Sequence, residues 1–322
     1  MKKISIAMIC LIMAFAASAP VRAYVTSKRL SVAGEIVQEK WRPGAFPLKW
    51  EMNPTQGSNV TGARTQADVL RSSFAAWQSL TAANITFTEG ATTAATVIPE
   101  FDGINLVTTN LTSVQYPTGA LGLTLVYSFG DGGPGFVDSK GRPVEFPGQI
   151  AEADILFNPA ELFTTNTTTV SNRIDFQSVA THEAGHFLGL DHSTMVSATM
   201  FPTIANGYNY AKTLSSDDIA AISTIYPGAS FAAKGKISGT VRTTANAPVY
   251  GAIVVAVNAS GTPVAGAITN PSGVYTIEGL DAGSYSVYAE PLDGPATIGN
   301  VPTLPRIYAG QSVSTSFTTR YR

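Results

Sequence analysis

The segment THEAGHFLGLDHS, Thr181 to Ser193, holds all three histidines of a 322-residue chain, and their spacing dictates its local shape. On an α-helix, residues four apart stand about 40° apart in projection and ~6 Å apart along the axis. His182 and His186 therefore face the same way and can reach one ion together. The helix is expected to stop at Gly189, because glycine enters the left-handed conformation that reverses the chain. The turn then returns His192 to the pair.

Three imidazoles and one open position are the ligand set of a catalytic zinc rather than a closed structural one. Glu183, next to His182, stands beside the ion without ligating it. Zinc lowers the pKa of its bound water to about 7, and a carboxylate so placed takes the proton as water attacks a polarised carbonyl, then passes it to the leaving amine. A purely structural site has no need of a general base beside three ligands. HExxH alone arises by chance; the full HExxHxxGxxH constrains five positions in the setting of a capped helix and a glycine stop.

The remainder of the chain bounds this reading. Lys2 and Lys3, the apolar run Ile4 to Ala17 and the small residues around Val21-Arg22-Ala23 read as a secretory signal over 1–23. The run is shorter than the ~20 residues that span a bilayer, and no later stretch is expected to cross one. Removal of Lys2, Lys3 and Arg22 leaves 17 of 20 basic residues against 22 acidic ones, which argues against a nucleic-acid partner. The only cysteine, Cys10, lies inside the signal, so disulfides are unavailable to the exported chain.

The periodicities predict an α+β domain over 24–228, a linker at 229–234 and a small all-β sandwich over 235–322. Phe46 to Met52 alternates like a half-buried strand, and short β runs follow at 84–88, 104–108, 121–128 and 153–157. Helices are expected over 65–80, capped by Thr65 with Asp68 three residues on, over 175–188, and over 216–226, where Ser215 and Asp218 have capping-box spacing. Phe129 to Gly148, rich in Gly and Pro, reads as a long loop. Beyond residue 234 no helical period appears. Strands are expected there at 236–242, 252–257, 274–278, 284–290 and 313–318.

His182-Glu-Ala-Gly-His186-Phe-Leu-Gly189-Leu-Asp-His192 resembles the metzincin zinc proteases, and Ser193 resembles the matrixin branch. Ala198-Thr-Met200-Phe-Pro202 is similar to that branch's methionine turn; Met195, which lacks the following proline, is the rival, and a gap-filling core methionine is the plainer reading of Met200. The resemblance spans about Trp41 to Pro227 and implies a metzincin-like domain with a twisted mixed sheet and three helices. It also implies substrate laid along an edge strand, with Ala120, Leu121, Gly122, Leu123 and Thr124 the best match. The pocket wall would then lie near Pro202, Thr203 and Ile204. Asn158 and Glu161 match calcium positions of the family, but the upstream loop around Tyr116 to Gly119 lacks its aspartate, so calcium stays open against a merely solvated loop. Leu156 stands where the family's structural-zinc histidine would fall. Residues 235–322 resemble carboxypeptidase-regulatory-like, transthyretin-like modules, which usually lack catalytic residues.

The sequence therefore predicts a secreted, extracellular zinc metalloendopeptidase acting on proteins or peptides, with periplasmic or cell-surface placement left open. His182, His186 and His192 would be the ligands of one zinc ion, Glu183 the base and acid, and Met200 the floor. The C-terminal module would bind a surface, polymer or protein, and a chain ending near Gly228 is expected to fold and cleave small peptides. The rival is a surface-binding or adhesive protein with a structural metal domain.

Overall fold

The structure, a computed structural model, describes residues 26–95, 101–111 and 114–321; the expected signal over 1–23 lies outside them. The sheet that carries the site has five strands: β1 (Leu48–Met52), β2 (Phe87–Glu89), β3 (Leu106–Thr108), β4 (Gly122–Ser128) and β5 (Ile150–Phe157). Their order is β2-β1-β3-β5-β4. The pairs β1–β2, β1–β3 and β3–β5 are parallel, whereas β4 runs antiparallel to β5 and forms one edge. Because β1 has neighbours on both sides, Trp50, Glu51 and Met52 are all buried and only Lys49 of that strand is exposed.

Helix α1 (Gln66–Gln78) starts where Thr65 Oγ1 accepts the Asp68 amide at 3.1 Å. Its buried stripe of Val69, Leu70, Phe74 and Trp77 faces the core, with Phe74 stacked on Trp50 at 4.7 Å between ring centroids. Helix α2 (Phe176–Phe187) starts where Asp175 accepts the Ser178 amide at 2.7 Å. Its C-terminal carbonyls find partners from distant elements: the Trp41 indole donates to Phe187 O at 2.8 Å and the Tyr226 hydroxyl to Leu188 O at 2.7 Å. Helix α3 (Ser216–Ile225) carries the expected capping box of Ser215 and Asp218.

After Gly228 the chain makes a 3-10 turn over Ala229–Ala233 where an open linker is expected. The C-terminal region is antiparallel. Strands β6 (Gly235–Thr240) and β9 (Val274–Leu280) pair, while β7 (Ile253–Asn258) lies between β8 (Pro263–Ile268) and β10 (Tyr285–Glu290). Three expectations need correction. Residues 313–318 form no strand: Val313 crosses close over Gly251, and Ser314 makes a single main-chain bond to Tyr250 O. β8 was not expected, because its small residues from Ala265 to Ala267 are buried on both faces and show no alternation. A helix, α4 (Thr303–Ile307), exists where none was expected; five residues are too few to display a period. The region is not a separate body, since Val254, Ala256, Ala265 and Ile277 belong to the same buried cluster as Trp41, Trp77 and Phe187.

Candidate metal centre

Helix α2 lies beneath the edge strand β4, and a cleft of about 740 Å³ runs between them. His182 and His186 project from α2 one turn apart. Gly189 then takes a φ of +92°, and a Cβ there would stand 2.4 Å from Glu39 O, so the reversal needs glycine on both counts. His192 returns as the spacing requires, with one ligating atom from each of the three histidines within 4.8 Å of the others. Among the described residues this is the one cluster of three or more His, Cys, Asp or Glu side chains close enough to hold a metal.

Each imidazole is oriented by a main-chain oxygen. His182 Nδ1 lies 2.8 Å from Thr199 O, His186 Nδ1 2.9 Å from Leu190 O, and His192 Nδ1 2.6 Å from Asn300 O. A carbonyl only accepts, so Nδ1 carries the hydrogen in all three rings and Nε2 is the nitrogen left to face an ion. Burial holds His182 far below its ordinary pKa, helped by the neighbouring His186 and His192, and the same effects bring His186 down to about 4. His182 and His186 are therefore neutral at pH 7, as ligation demands. Three converging Nε2 atoms with satisfied outer nitrogens fit zinc.

Glu183 is buried between α2 and β4. Thr124 Oγ1 donates to Glu183 Oε2 at 2.6 Å, and a Cβ on Gly122 would approach Glu183 Oε1 to 2.5 Å, so the strand passes close only because residue 122 is glycine. Burial pushes the Glu183 carboxyl up to about 7, with the Thr124 bond opposing it. A carboxylate balanced near neutrality suits proton transfer in both directions. Met200 lies under the centre, and a Cβ on Gly185 would meet its Sδ at 2.3 Å. Met195 instead packs beside Gly266 of β8. Asp218 holds the methionine turn by accepting the Thr199 amide at 2.8 Å and the Met200 amide at 3.0 Å.

Ala120 to Thr124 line the cleft, as do Pro202, Thr203 and Ile204 and the three histidines. Leu156 is a buried core side chain. The side chain of Asn158 bonds to the neighbouring main chain: Nδ2 donates to Ala120 O at 2.7 Å and Oδ1 accepts the Ala160 amide at 3.0 Å. It steadies the approach to the edge strand. Glu161 is half-buried nearby, its main-chain oxygen accepting from Asn59 Nδ2 at 2.7 Å. Sequence reasoning missed Asp191, Asn300, Thr303 and Arg306. Two of the four act through main-chain atoms, which leave no side-chain signature.

Residues 131–227 match the family model described as Matrixin, and residues 236–301 match the carboxypeptidase regulatory-like domain. Matrilysin of Rattus norvegicus is 33% identical over 112 residues, 34% of this chain and 41% of that protein. Metalloendoproteinase 5-MMP of Arabidopsis thaliana is 46% identical over 59 residues, 18% of this chain and 16% of that protein. Matrix metalloproteinase-20 of Homo sapiens is 40% identical over 80 residues, 25% of this chain and 16% of that protein. The chain thus spans less than half the length of each of these relatives.

Proposed function

We propose that this chain, matrixin-type over residues 131–227 and continued by a carboxypeptidase regulatory-like module, is an exported zinc metalloendopeptidase that hydrolyses peptide bonds of extracellular proteins. The observation that carries the reading is the convergence of three imidazoles within 4.8 Å beside a buried carboxylate tied to the edge strand. His182, His186 and His192 would hold the ion. Zinc, when bound, polarises the scissile carbonyl and acidifies water.

The chain's own residues supply the rest. The free edge of β4 can receive an extended peptide by main-chain hydrogen bonds, setting the scissile bond across the cleft. Glu183 takes a proton from the attacking water and returns it to the departing amine nitrogen. Met200 supports the ligand-bearing helix from below, and Pro202, Thr203 and Ile204, which line the same cleft, would wall the specificity pocket. Export rests on the leader read in residues 1–23; among the described residues no helix is long and apolar enough to cross a membrane.

Casein cleavage that a chelator abolishes and zinc restores is the expected result. Glu183→Ala should retain zinc and lose peptide hydrolysis by about 10²–10⁴-fold or more, since only the proton acceptor is removed. Hydrolysis within a few-fold of the parent would refute the role of Glu183. An intact chain that binds zinc yet cleaves neither casein nor short peptides would favour an adhesive protein with a structural metal domain.

A further inference from the structure

We propose that residues 299–306 of the C-terminal module are a built part of the metal centre, positioning His192, so that metal affinity depends on the module; this rests on the three histidines being zinc ligands. His182 and His186 are held by α2 itself, and their Nδ1 partners, Thr199 O and Leu190 O, come from the same domain. His192 sits on a return loop with no helix to hold it. Its Nδ1 partner is the main-chain oxygen of Asn300, 108 residues away, at 2.6 Å.

Both neighbours of His192 are tied to the module as well. Asp191 accepts the His192 amide on Oδ1 at 2.7 Å and the Thr303 amide on Oδ2 at 2.9 Å. On the other side, Ser193 Oγ donates to Asp217 Oδ2 at 2.6 Å, and Asp217 Oδ1 accepts the Gly266 amide of β8 at 2.8 Å. Beneath the loop, Met195, Ala198 and Phe201 share one buried cluster with Ile253, Ile268, Val301 and Leu304 of the module. At the rim, Arg306 reaches back to Glu39 Oε2 at 2.9 Å and Ser27 Oγ at 3.1 Å.

The consequence follows from imidazole chemistry. A neutral ring has two tautomers and turns about two side-chain bonds. The Asn300 carbonyl selects the tautomer with hydrogen on Nδ1, and the flanking tethers fix where the ring stands. Without them, His192 must be ordered by the metal itself, and affinity falls. Asp191, Asn300 and Thr303 are therefore positioning residues.

The test uses the full chain. Asp191→Ala removes the carboxylate that joins the loop to α4, and Leu304→Ala loosens the segment's seat; Leu280→Ala, buried in β9 away from this segment, is the control for general destabilisation. Zinc affinity is read by competition with a chelator, and ligand geometry by the visible spectrum of the cobalt(II) form. Asp191→Ala and Leu304→Ala should weaken zinc binding about 10–100-fold and alter the cobalt spectrum. Leu280→Ala should do neither. In the unmodified chain, zinc should slow hydrogen exchange at the Thr303 amide, because coupling between site and module is reciprocal. Parent-like affinity and cobalt spectrum in both variants would overturn the proposal, as would equal weakening in the control. Should Asp191→Ala not fold, an identical Thr303 exchange rate with and without zinc would overturn it. A parent chain that binds no zinc would instead refute the metal reading itself.

Discussion

Thr124 on the edge strand donates its hydroxyl to the carboxylate of Glu183 on the ligand-bearing helix at 2.6 Å, and the same hydroxyl lies 3.2 Å from the Glu183 main-chain oxygen. A residue of the edge strand proposed to receive the peptide thus also aims the proposed base. Gly122, two positions earlier on the same face, leaves the space that the carboxylate occupies. Strand and base are one unit, so a change on β4 acts on proton transfer as well as on binding.

Thr124→Val keeps the shape of the side chain and removes the donor. A hydrogen bond to a charged group is worth roughly 1.5–3 kcal/mol, so kcat/KM should fall by at least about tenfold. The Thr124 bond holds the Glu183 pKa down against burial. Its loss should therefore move the acidic limb of the pH–rate profile to higher pH. A pH–rate profile that superimposes on the parent's would show that this hydroxyl does not bear on the base.

The parts of the site legible in the sequence are those written in side-chain identity and spacing: His182, Glu183, His186, Gly189, His192 and, through its following Phe-Pro, Met200. Asp218 was legible only in part. Its capping box with Ser215 is a sequence pattern, but its grip on the Thr199 and Met200 amides depends on a loop from another part of the chain. Asn300 was not legible at all, since it contributes a carbonyl that any residue would supply, from a distance of 108 residues. In the fold, the three longer helices announced themselves through caps and apolar stripes. β8 and α4 did not, because one is buried on both faces and the other is barely more than one turn.

Zinc content should be one tightly held equivalent per chain. A second zinc needs several nitrogen, sulfur or carboxylate ligands near 2 Å. All three histidines serve the one centre, the only cysteine is Cys10, and Leu156 is buried hydrocarbon. Any further ion would draw on carboxylates, carbonyls and water, which suit calcium. Metal analysis after dialysis against zinc-free buffer checks this, and two surviving equivalents of zinc would contradict it.

Asp217 gives the protein a pH dependence of definite sign. Burial, with Asp218 beside it, pushes its carboxyl up to about 7 from an ordinary 3.8. Between those values the folded chain holds a proton that the unfolded chain has released. The contribution to stability is complete below about pH 4 and is lost as pH rises to about 7. Asp217→Asn keeps an acceptor for the Gly266 amide and cannot ionise. In urea unfolding at a series of pH values with chelator present, the variant should gain on the parent as pH rises from about 4 to 7. A constant difference across that range would mean that Asp217 does not carry the effect.

Ending the chain at Gly228 is the sharpest test of how the two regions depend on each other. The sequence, with every candidate catalytic residue before that point, predicts a folded and active fragment. The structure revises that expectation. Truncation uncovers Met195, Ala198 and Phe201, and removes both the Asn300 carbonyl from His192 and the Thr303 amide from Asp191. A fully buried Met or Phe contributes about 1.5–3 kcal/mol, so exposing Met195 and Phe201 should cost on the order of 3 kcal/mol even with part of their cover retained. Such a loss is a large fraction of the stability of an ordinary domain. The fragment should melt at markedly lower temperature and surrender zinc to a weaker chelator than the full chain requires. Thermal unfolding and chelator titration on the two proteins side by side decide it. A fragment matching the full chain in melting temperature and zinc retention would mean that the loop bearing His192 needs no support from beyond Gly228.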